Sequence, residues 1–83
     1  MKIHVKYFAS IRELLGKGSE AVDTTAATVA ALRDELIAQG GVYADALARG
    51  KAVRVALNQT LSDETTLLTE GAEVAFFPPV TGG

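Results

Sequence analysis

The 83-residue chain contains no cysteine and only one histidine, His4. Without cysteine it has no disulfide, no thiolate ligand for a metal and no cysteine nucleophile. One histidine is too few for a histidine-based metal site, and there is no G-x-S-x-G elbow for a Ser-His-Asp arrangement. The adjacent carboxylates Asp63 and Glu64 have no apolar context, so we expect both to be solvated surface groups. The sequence therefore predicts neither a metal site nor a catalytic centre of these kinds.

Long apolar runs and clustered basic residues are also missing. No run of apolar residues is long enough to cross a bilayer, and the first residues lack the apolar core of a secretory signal. The net charge is -2, and the lysines and arginines are scattered, which leaves no basic stripe for a phosphate backbone. These absences predict a cytoplasmic protein that binds neither nucleic acid nor membrane.

The composition is that of one small globular domain, with 48% apolar and 22% charged residues. Alternation of apolar and polar residues predicts four strands, at 2–9, 19–23, 53–57 and 73–77. We expect the second strand to pair antiparallel with the first.

Helical patterns separate these strands. The longest has apolar residues at helical spacing, and we place Leu32 and Leu36 in the core. An S-x-x-E capping box at Ser10 begins the first helix, and Thr28 is the expected N-cap of the main one. The predicted helical segments are 11–15, 29–39 and 43–49, and the predicted turns are 58–60 and 70–71.

This order of elements predicts an α+β fold in which a mixed sheet curls over one main helix. The first and last strands are expected side by side in the middle of the sheet, with a right-handed crossover. That is the β-grasp, or ubiquitin-like, arrangement. A split βαβ or ferredoxin-like sandwich is the alternative, but it needs two long helices where this chain offers one. We place the domain at 1–77 and a flexible C-terminal tail at 78–83.

Two aromatic side chains fall on the polar faces of their strands. Phe8 shares a face with Lys6, and Phe77 shares a face with Glu73, so neither belongs to a simple core. If the two strands are neighbours, the rings form one exposed patch, which Leu61 could extend. Such a patch marks a partner surface on a small domain. The other reading is that strand twist or a loop covers one ring.

The chain ends in Pro78, Pro79, Val80, Thr81, Gly82 and Gly83. Proline donates no ladder hydrogen bond, so the pair stops the last strand and favours an extended exit. Counted from Pro79, an extended tail reaches roughly 15 Å, enough to enter a deep pocket of another protein. Glycine has no Cβ, so a diglycine end passes a narrow channel and presents its carboxylate to an enzyme.

The closing segment 70–83, EGAEVAFFPPVTGG, resembles the MoaD family, the small subunits of molybdopterin synthase. The segments 58–61, NQTL, and 12–14, REL, fit that family, as does Phe8 with the alanine after it. The resemblance spans nearly the whole chain and is most specific where strand, double proline and diglycine occur together. Ala72 stands where the family more often has an acidic residue.

The resemblance implies a β-grasp sulfur carrier that is a non-catalytic, sulfur-donating subunit with no bound cofactor. It implies that a ubiquitin-activating-type adenylyltransferase uses ATP to adenylate Gly83, and that sulfur from a donor protein then gives a thiocarboxylate. Gly82 gives the tail access to the active site of the large synthase subunit, in a heterotetramer, where sulfur passes to cyclic pyranopterin monophosphate. The implied partner-binding residues are Phe8, Leu61, Phe77, Pro78, Pro79, Val80 and Thr81.

Three other functions fit the same features. The carrier chemistry could serve another pathway, such as thiamine synthesis or tRNA thiolation, because fold and diglycine do not distinguish the pathways. A ubiquitin-like modifier would join target lysines through Gly83. A plain interaction domain would leave the tail unused.

Overall fold

A computed structural model describes residues 1–79, and the last four residues of the predicted tail lie outside that range. The described residues form one five-stranded sheet, in the order β2-β1-β5-β3-β4, with three helices. The elements in chain order are β1 (Lys2–Tyr7), α1 (Ala9–Leu15), β2 (Ser19–Asp23), α2 (Val29–Ala38), α3 (Gly41–Leu47), β3 (Arg54–Leu57), β4 (Thr60–Ser62) and β5 (Glu73–Phe77).

The centre of the sheet is the parallel pair β1 and β5, in which Val5 lies opposite Val74. β2 pairs antiparallel with β1, and β3 pairs antiparallel with the other edge of β5. The predicted neighbourhood of the first and last strands is therefore confirmed. With one long helix against a mixed sheet, the fold is the predicted β-grasp arrangement and not the ferredoxin-like alternative.

The sheet has one strand more than the sequence predicts. β4 forms a hairpin with β3, and Ala56 lies opposite Leu61. The connection is Asn58-Gln59, with φ of 49° and 70°. Positive φ at both central residues is typical of the type I′ turn that suits a two-residue hairpin. The alternation missed β4 because three residues are too few to show a period of two.

The core lies between the sheet and the helices, and α2 supplies its centre. Thr28 is the N-cap of α2, as predicted, and its hydroxyl accepts a hydrogen bond from the Ala31 N–H at 3.2 Å. Leu32 and Leu36 are fully buried, which confirms their predicted place in the core.

The predicted start of α1 is wrong. β1 ends at Tyr7, and Phe8 occupies the N-cap position with no side-chain cap, so Ser10 lies inside the helix. The Phe8 carbonyl instead accepts from the Ile11 and Arg12 N–H groups, at 3.2 and 3.3 Å. The physical reason is a sharp turn at Ala9, whose φ is +51°, directly after the strand. The helix therefore begins before the capping box.

α3 begins and ends two residues earlier than the segment predicted from the sequence. Gly40 and Gly41 both have positive φ, 74° and 56°, so the chain turns into the helix without a linker. At the other end, the buried Arg33 donates from Nε to the Leu47 carbonyl and from an Nη to the Ala48 carbonyl, both at 2.8 Å. These bonds satisfy carbonyls that a helix end leaves free.

Glu64 is not the solvated group that the sequence predicts. It accepts from Arg33 at 2.7 Å and also forms an ion pair with Arg49. Arg49 in turn bonds Asp34 on α2 at 2.8 Å. This network joins α2 to the segments before β3 and after β4. Arg33 was missed because a charged residue inside a helical pattern usually points to solvent.

Candidate functional site

The register of the ladders defines two faces of the sheet, because directly opposed residues in neighbouring strands share a face. One face carries buried residues such as Val5 and Phe76 and packs on the helices. We call the other the outer face. The core cluster joins Val5 and Phe76 to Leu32 and Leu36 of α2, and among the described residues it does not include the outer-face residues of β5.

An apolar strip crosses the outer face. Its members are Phe8, Phe77, Ala75, Ala56 and Leu61. Three of them form one row, since Ala75 pairs with Ala56 and Ala56 pairs with Leu61. Phe77 is the next outer-face residue along β5. The strip runs from β1 to β4, three strand spacings or roughly 14 Å.

Phe8 joins the strip although it lies just past the end of β1. Its backbone is extended, with φ -129° and ψ 157°, and its N–H donates to the Phe76 carbonyl at 3.1 Å. The parallel ladder thus continues by one residue. Because Tyr7 pairs with Phe76, the same register puts Phe8 beside Phe77.

The exposures agree with the strand faces predicted from the sequence. Phe8 is 46% exposed and Leu61 is 65% exposed, while Phe77 and Ala56 are half-buried. Ala75, at the middle of the strip, is buried at 6% exposure, although it lies outside the core cluster. Leu61 reaches this face through β4, the strand that the sequence did not predict. That these residues bind a partner stays a prediction.

The chain leaves the sheet at the end of the strip. β5 has a strand on each side, so Pro78 and Pro79, which have no N–H, end its ladders. Both prolines are half-buried. The exit is flanked by Phe8 on the side of β1 and by Arg54, the partner of Phe77, on the side of β3. The predicted site residues Val80, Thr81, Gly82 and Gly83 lie outside the described residues.

Sequence reasoning missed Ala75, Ala56 and Arg54 as members or neighbours of the strip. The two alanines are small residues within ordinary alternation, and nothing in the sequence marks them. Arg54 begins β3 and is exposed. Only the pairing of β3 with β5 shows that Arg54 lies next to Phe77, because the two residues are far apart in sequence.

A polar cluster holds the last residue of β1 in place beneath the strip. The hydroxyls of Tyr7 and Tyr43 both donate to Oε2 of Glu20, at 2.6 and 2.7 Å. Lys17 donates to the Tyr43 hydroxyl at 3.0 Å and forms an ion pair with Glu20. The cluster links β1, β2 and α3, so it fixes the strand end from which Phe8 extends.

The pKa values in this cluster are shifted by its contacts. Burial, then the hydrogen bond to Glu20, raises the pKa of Tyr7, which keeps the phenol neutral. Burial by itself would raise the pKa of Glu20, but hydrogen bonds from the two tyrosines and the charge of Lys17 outweigh it and lower that pKa. The cluster therefore contains one carboxylate held by neutral donors and one ammonium group.

Nothing in residues 1–79 is arranged for metal binding, since no three His, Asp or Glu side chains there are grouped to hold an ion. Over the same range, no helix has the length and apolar character to cross a membrane. What the described residues offer is an apolar strip, exposed at Phe8 and Leu61, at the point where the chain leaves the sheet.

Comparison with known proteins adds a family and several relatives. The model of the ThiS family matches residues 5–83. A molybdopterin synthase sulfur carrier subunit of Escherichia coli K12 is 49% identical over 81 residues, which cover 98% of this chain and 99% of that protein.

Two solved structures share the fold over their full lengths. The crystal structure of SAMP1 from Haloferax volcanii is 27% identical with a TM-score of 0.78, and covers 100% of both chains. A complex of subunits 1 and 2 of molybdopterin-converting factor from Helicobacter pylori contains a chain that is 26% identical, with a TM-score of 0.70 and 100% of both chains covered.

Proposed function

Because the chain belongs to the ThiS family, which its residues 5–83 match, we propose that it is the sulfur carrier subunit of a molybdopterin synthase. The support is the near-complete match to a carrier subunit at 49% identity. The observation that carries the proposal is structural. The apolar strip ends where β5 ends at Pro78, so a partner that binds the strip also lies next to the point where the chain leaves the sheet.

The partner in this proposal is the large subunit of the synthase. The complex of two subunits from Helicobacter pylori, in which a similar chain takes part, supports a large-subunit partner. Phe8, Phe77 and Leu61 are the anchors that we assign to that interface, with Pro78, Pro79, Val80 and Thr81 along the tail. Aromatic residues in exposed patches commonly supply much of the binding free energy of an interface. A heterotetramer of two carriers and two large subunits is part of the proposal.

The chemistry that we propose takes place at the carboxylate of Gly83. A carboxylate is a poor electrophile until its oxygen becomes a leaving group, and a mixed anhydride with AMP supplies one. A ubiquitin-activating-type adenylyltransferase would form it from ATP, with release of pyrophosphate. A sulfur donor protein would then supply sulfur at the oxidation level of sulfide, which attacks the acyl carbon and displaces AMP, leaving a thiocarboxylate. Two such carriers would provide the two sulfurs of the dithiolene formed on cyclic pyranopterin monophosphate.

These roles fit a chain without thiols. The domain needs no catalytic side chain, because its partners catalyse the reactions and the domain supplies only the reactive carboxylate. We place these reactions in the cytoplasm. Gly82 has no Cβ and so leaves the approach to Gly83 open.

The test compares the full chain with a chain that ends at Gly82. The shortened chain still has a terminal carboxylate, but the group is displaced by about 3.5 Å, one extended residue. A misplacement larger than 1 Å can cost a hundredfold or more in a reaction that depends on positioning. We expect docking and stability close to those of the full chain, no thiocarboxylate by intact-mass measurement, and no conversion of the pterin precursor.

Normal conversion by the shortened chain would overturn the proposal. A Gly82→Ala variant that keeps the full length is the matched control for access. If the full chain instead forms lysine-linked adducts that survive denaturation and thiol reductant, it is a protein modifier. If it takes up sulfur but supports only thiazole or tRNA thiolation, the carrier chemistry stands and the pathway is wrong.

A further inference from the structure

The charged side chains of the outer face are balanced within the face, with one exception. Lys6 forms an ion pair with Glu73 at 3.3 Å. Lys2 lies directly opposite Asp23 in the ladder between β1 and β2. Each lysine on these strands thus has a carboxylate beside it, and the face around β1 carries little net charge.

Arg54 is the exception. It is exposed at the start of β3, directly opposite Phe77. Within residues 1–79 its guanidinium has no ion pair and no hydrogen bond, in contrast to Arg33 and Arg49, which pair with Glu64. Among the residues that the structure describes, an uncompensated cation therefore borders the apolar strip at the point where the chain leaves the sheet.

This position gives the cation a larger effect than a surface charge usually has. A partner that covers Phe77 excludes water from the rim of the strip, and a charged hydrogen bond strengthens where water is excluded. Arginine also fits a carboxylate with two parallel hydrogen bonds, which fixes orientation as well as charge. Burying Arg54 beside Phe77 without such a carboxylate would be unfavourable. The partner surface that covers Phe77 therefore needs an acceptor for the guanidinium at its rim.

Charge also bears on how the two proteins meet. The whole chain has a net charge of -2, so an acidic surface would be repelled in most orientations. Arg54 makes the neighbourhood of Phe77 locally positive, which favours approach with the strip and the tail exit facing the partner.

We propose that Arg54 is a docking residue that pairs with a carboxylate of the partner at the rim of the pocket receiving Phe77. This inference rests on the proposed function, since it uses the same partner. To the apolar contacts already assigned it adds one charged contact. That contact sets the orientation of the complex and the choice of partner. The partner in this proposal is the large synthase subunit, with an aspartate or glutamate at the rim of the pocket.

The test measures association and dissociation rates with the purified large subunit at low and high salt, for Arg54→Glu, Arg54→Gln and the wild type. Lys51→Glu is the matched control, because it makes the same charge change at an exposed residue that lies outside the strip. We expect Arg54→Glu to slow association about tenfold or more at low salt. Arg54→Gln should lie between it and the wild type, and both should show a weaker salt dependence. Lys51→Glu should follow the wild type, and thermal unfolding should show all the variants folded.

A second step identifies the carboxylate. Acidic residues of the large subunit are changed to lysine one at a time, and one of them should restore the binding of Arg54→Glu. Arg54→Glu that associates like Lys51→Glu at every salt concentration would overturn the inference. Normal docking of Arg54→Glu together with slow adenylation would also overturn it, because the guanidinium would then bind a phosphate group in the activating enzyme. Phe77→Lys separates the two proposals: if it fails to bind while Arg54→Glu binds normally, only the inference about Arg54 is wrong.

Discussion

The two faces of β5 differ although their residues alternate along one five-residue strand. Val74 and Phe76 are almost completely buried against the helices. On the other face, Ala75 is also buried but lies outside the core cluster, Phe77 is half-buried, and Phe8 beside it is 46% exposed. An apolar residue is therefore used for two purposes within one element: it holds the domain together on one face and offers contact area on the other.

The polar side chains follow the same division. Beneath the sheet, Arg33 and Glu20 have several hydrogen-bond partners each, and no buried side-chain polar atom of residues 1–79 lacks one. On the outer face, Arg54 has none within that range. Satisfied polar groups thus mark the part of the sheet that is complete, whereas the exposed apolar and unpaired charged groups lie on the face where we propose that a partner binds.

The largest expected effect is on the buried face. Phe76→Ala removes a buried ring that stacks on Tyr7 with centroids 6.4 Å apart. We expect the free energy of unfolding to fall by about 3–5 kcal/mol. Phe77→Ala is the control, with a loss under about 1 kcal/mol. Equal losses in denaturant unfolding would mean that the two faces are not distinct.

The next effect is on binding and belongs to the outer face. Phe77→Lys should weaken binding to the large subunit by about 2 kcal/mol, roughly thirtyfold, because a charged group replaces an interface ring. Its thermal unfolding should stay close to that of the wild type. Val42→Lys makes the same kind of change at an exposed apolar residue of α3, and its titration should match the wild type. Severe unfolding of Phe77→Lys would place that ring in the core.

A smaller change tests whether a loss of stability on the helix-covered face of the sheet affects binding at the strip. Thr28→Ala removes the N-cap bond to Ala31 and should lower the free energy of unfolding by about 1 kcal/mol. Thr28→Ser keeps the hydroxyl and should keep most of the stability. Binding to the large subunit should be unchanged in both, since α2 lies on the other side of the sheet. A binding loss in Thr28→Ala would show that the two faces are coupled.

The smallest effect depends on pH. Since contacts lower the pKa of Glu20 in the folded state, the folded chain binds fewer protons than the unfolded chain as the pH falls below the ordinary value of 4.5. The stabilisation is therefore present above that pH and is lost as the pH falls through the lowered pKa. Glu20→Gln should show a weaker acid dependence of the free energy of unfolding. Glu13→Gln, at an exposed residue of α1 whose side chain makes no hydrogen bond within residues 1–79, should keep the dependence of the wild type.

Periodicity was sufficient for the long elements and for the strand faces. The positions of Leu32 and Leu36 in the core, and of Phe8 and Phe77 outside it, follow from local alternation, which survives in the fold. The ends of helices and strands that depend on backbone geometry could not be predicted from this alternation. The turn at Ala9 has positive φ at an alanine, which no local pattern indicates, and it overrode the capping box at Ser10.

The site was only partly predictable from the sequence, because the pairing register of the strands decides which residues become neighbours. Leu61 faces the strip through β4, whose existence depends on the hairpin at Asn58-Gln59. Arg54 becomes a neighbour of Phe77 only when β3 and β5 pair. Contacts between residues so far apart in sequence leave no trace in either segment alone, so the charged rim had to come from the structure.

The pairing of β1 with β5 also affects how the chain folds during its synthesis. Val5 and Val74 are 69 positions apart, and closing such a long loop precedes any gain from the contacts that it makes. Until residues 73–77 emerge, the hairpin of β3 and β4 has no central strand on which to dock. The row Ala75, Ala56, Leu61 therefore forms in the same step that completes the sheet. A chain that has not yet been translated through β5 therefore lacks the apolar strip.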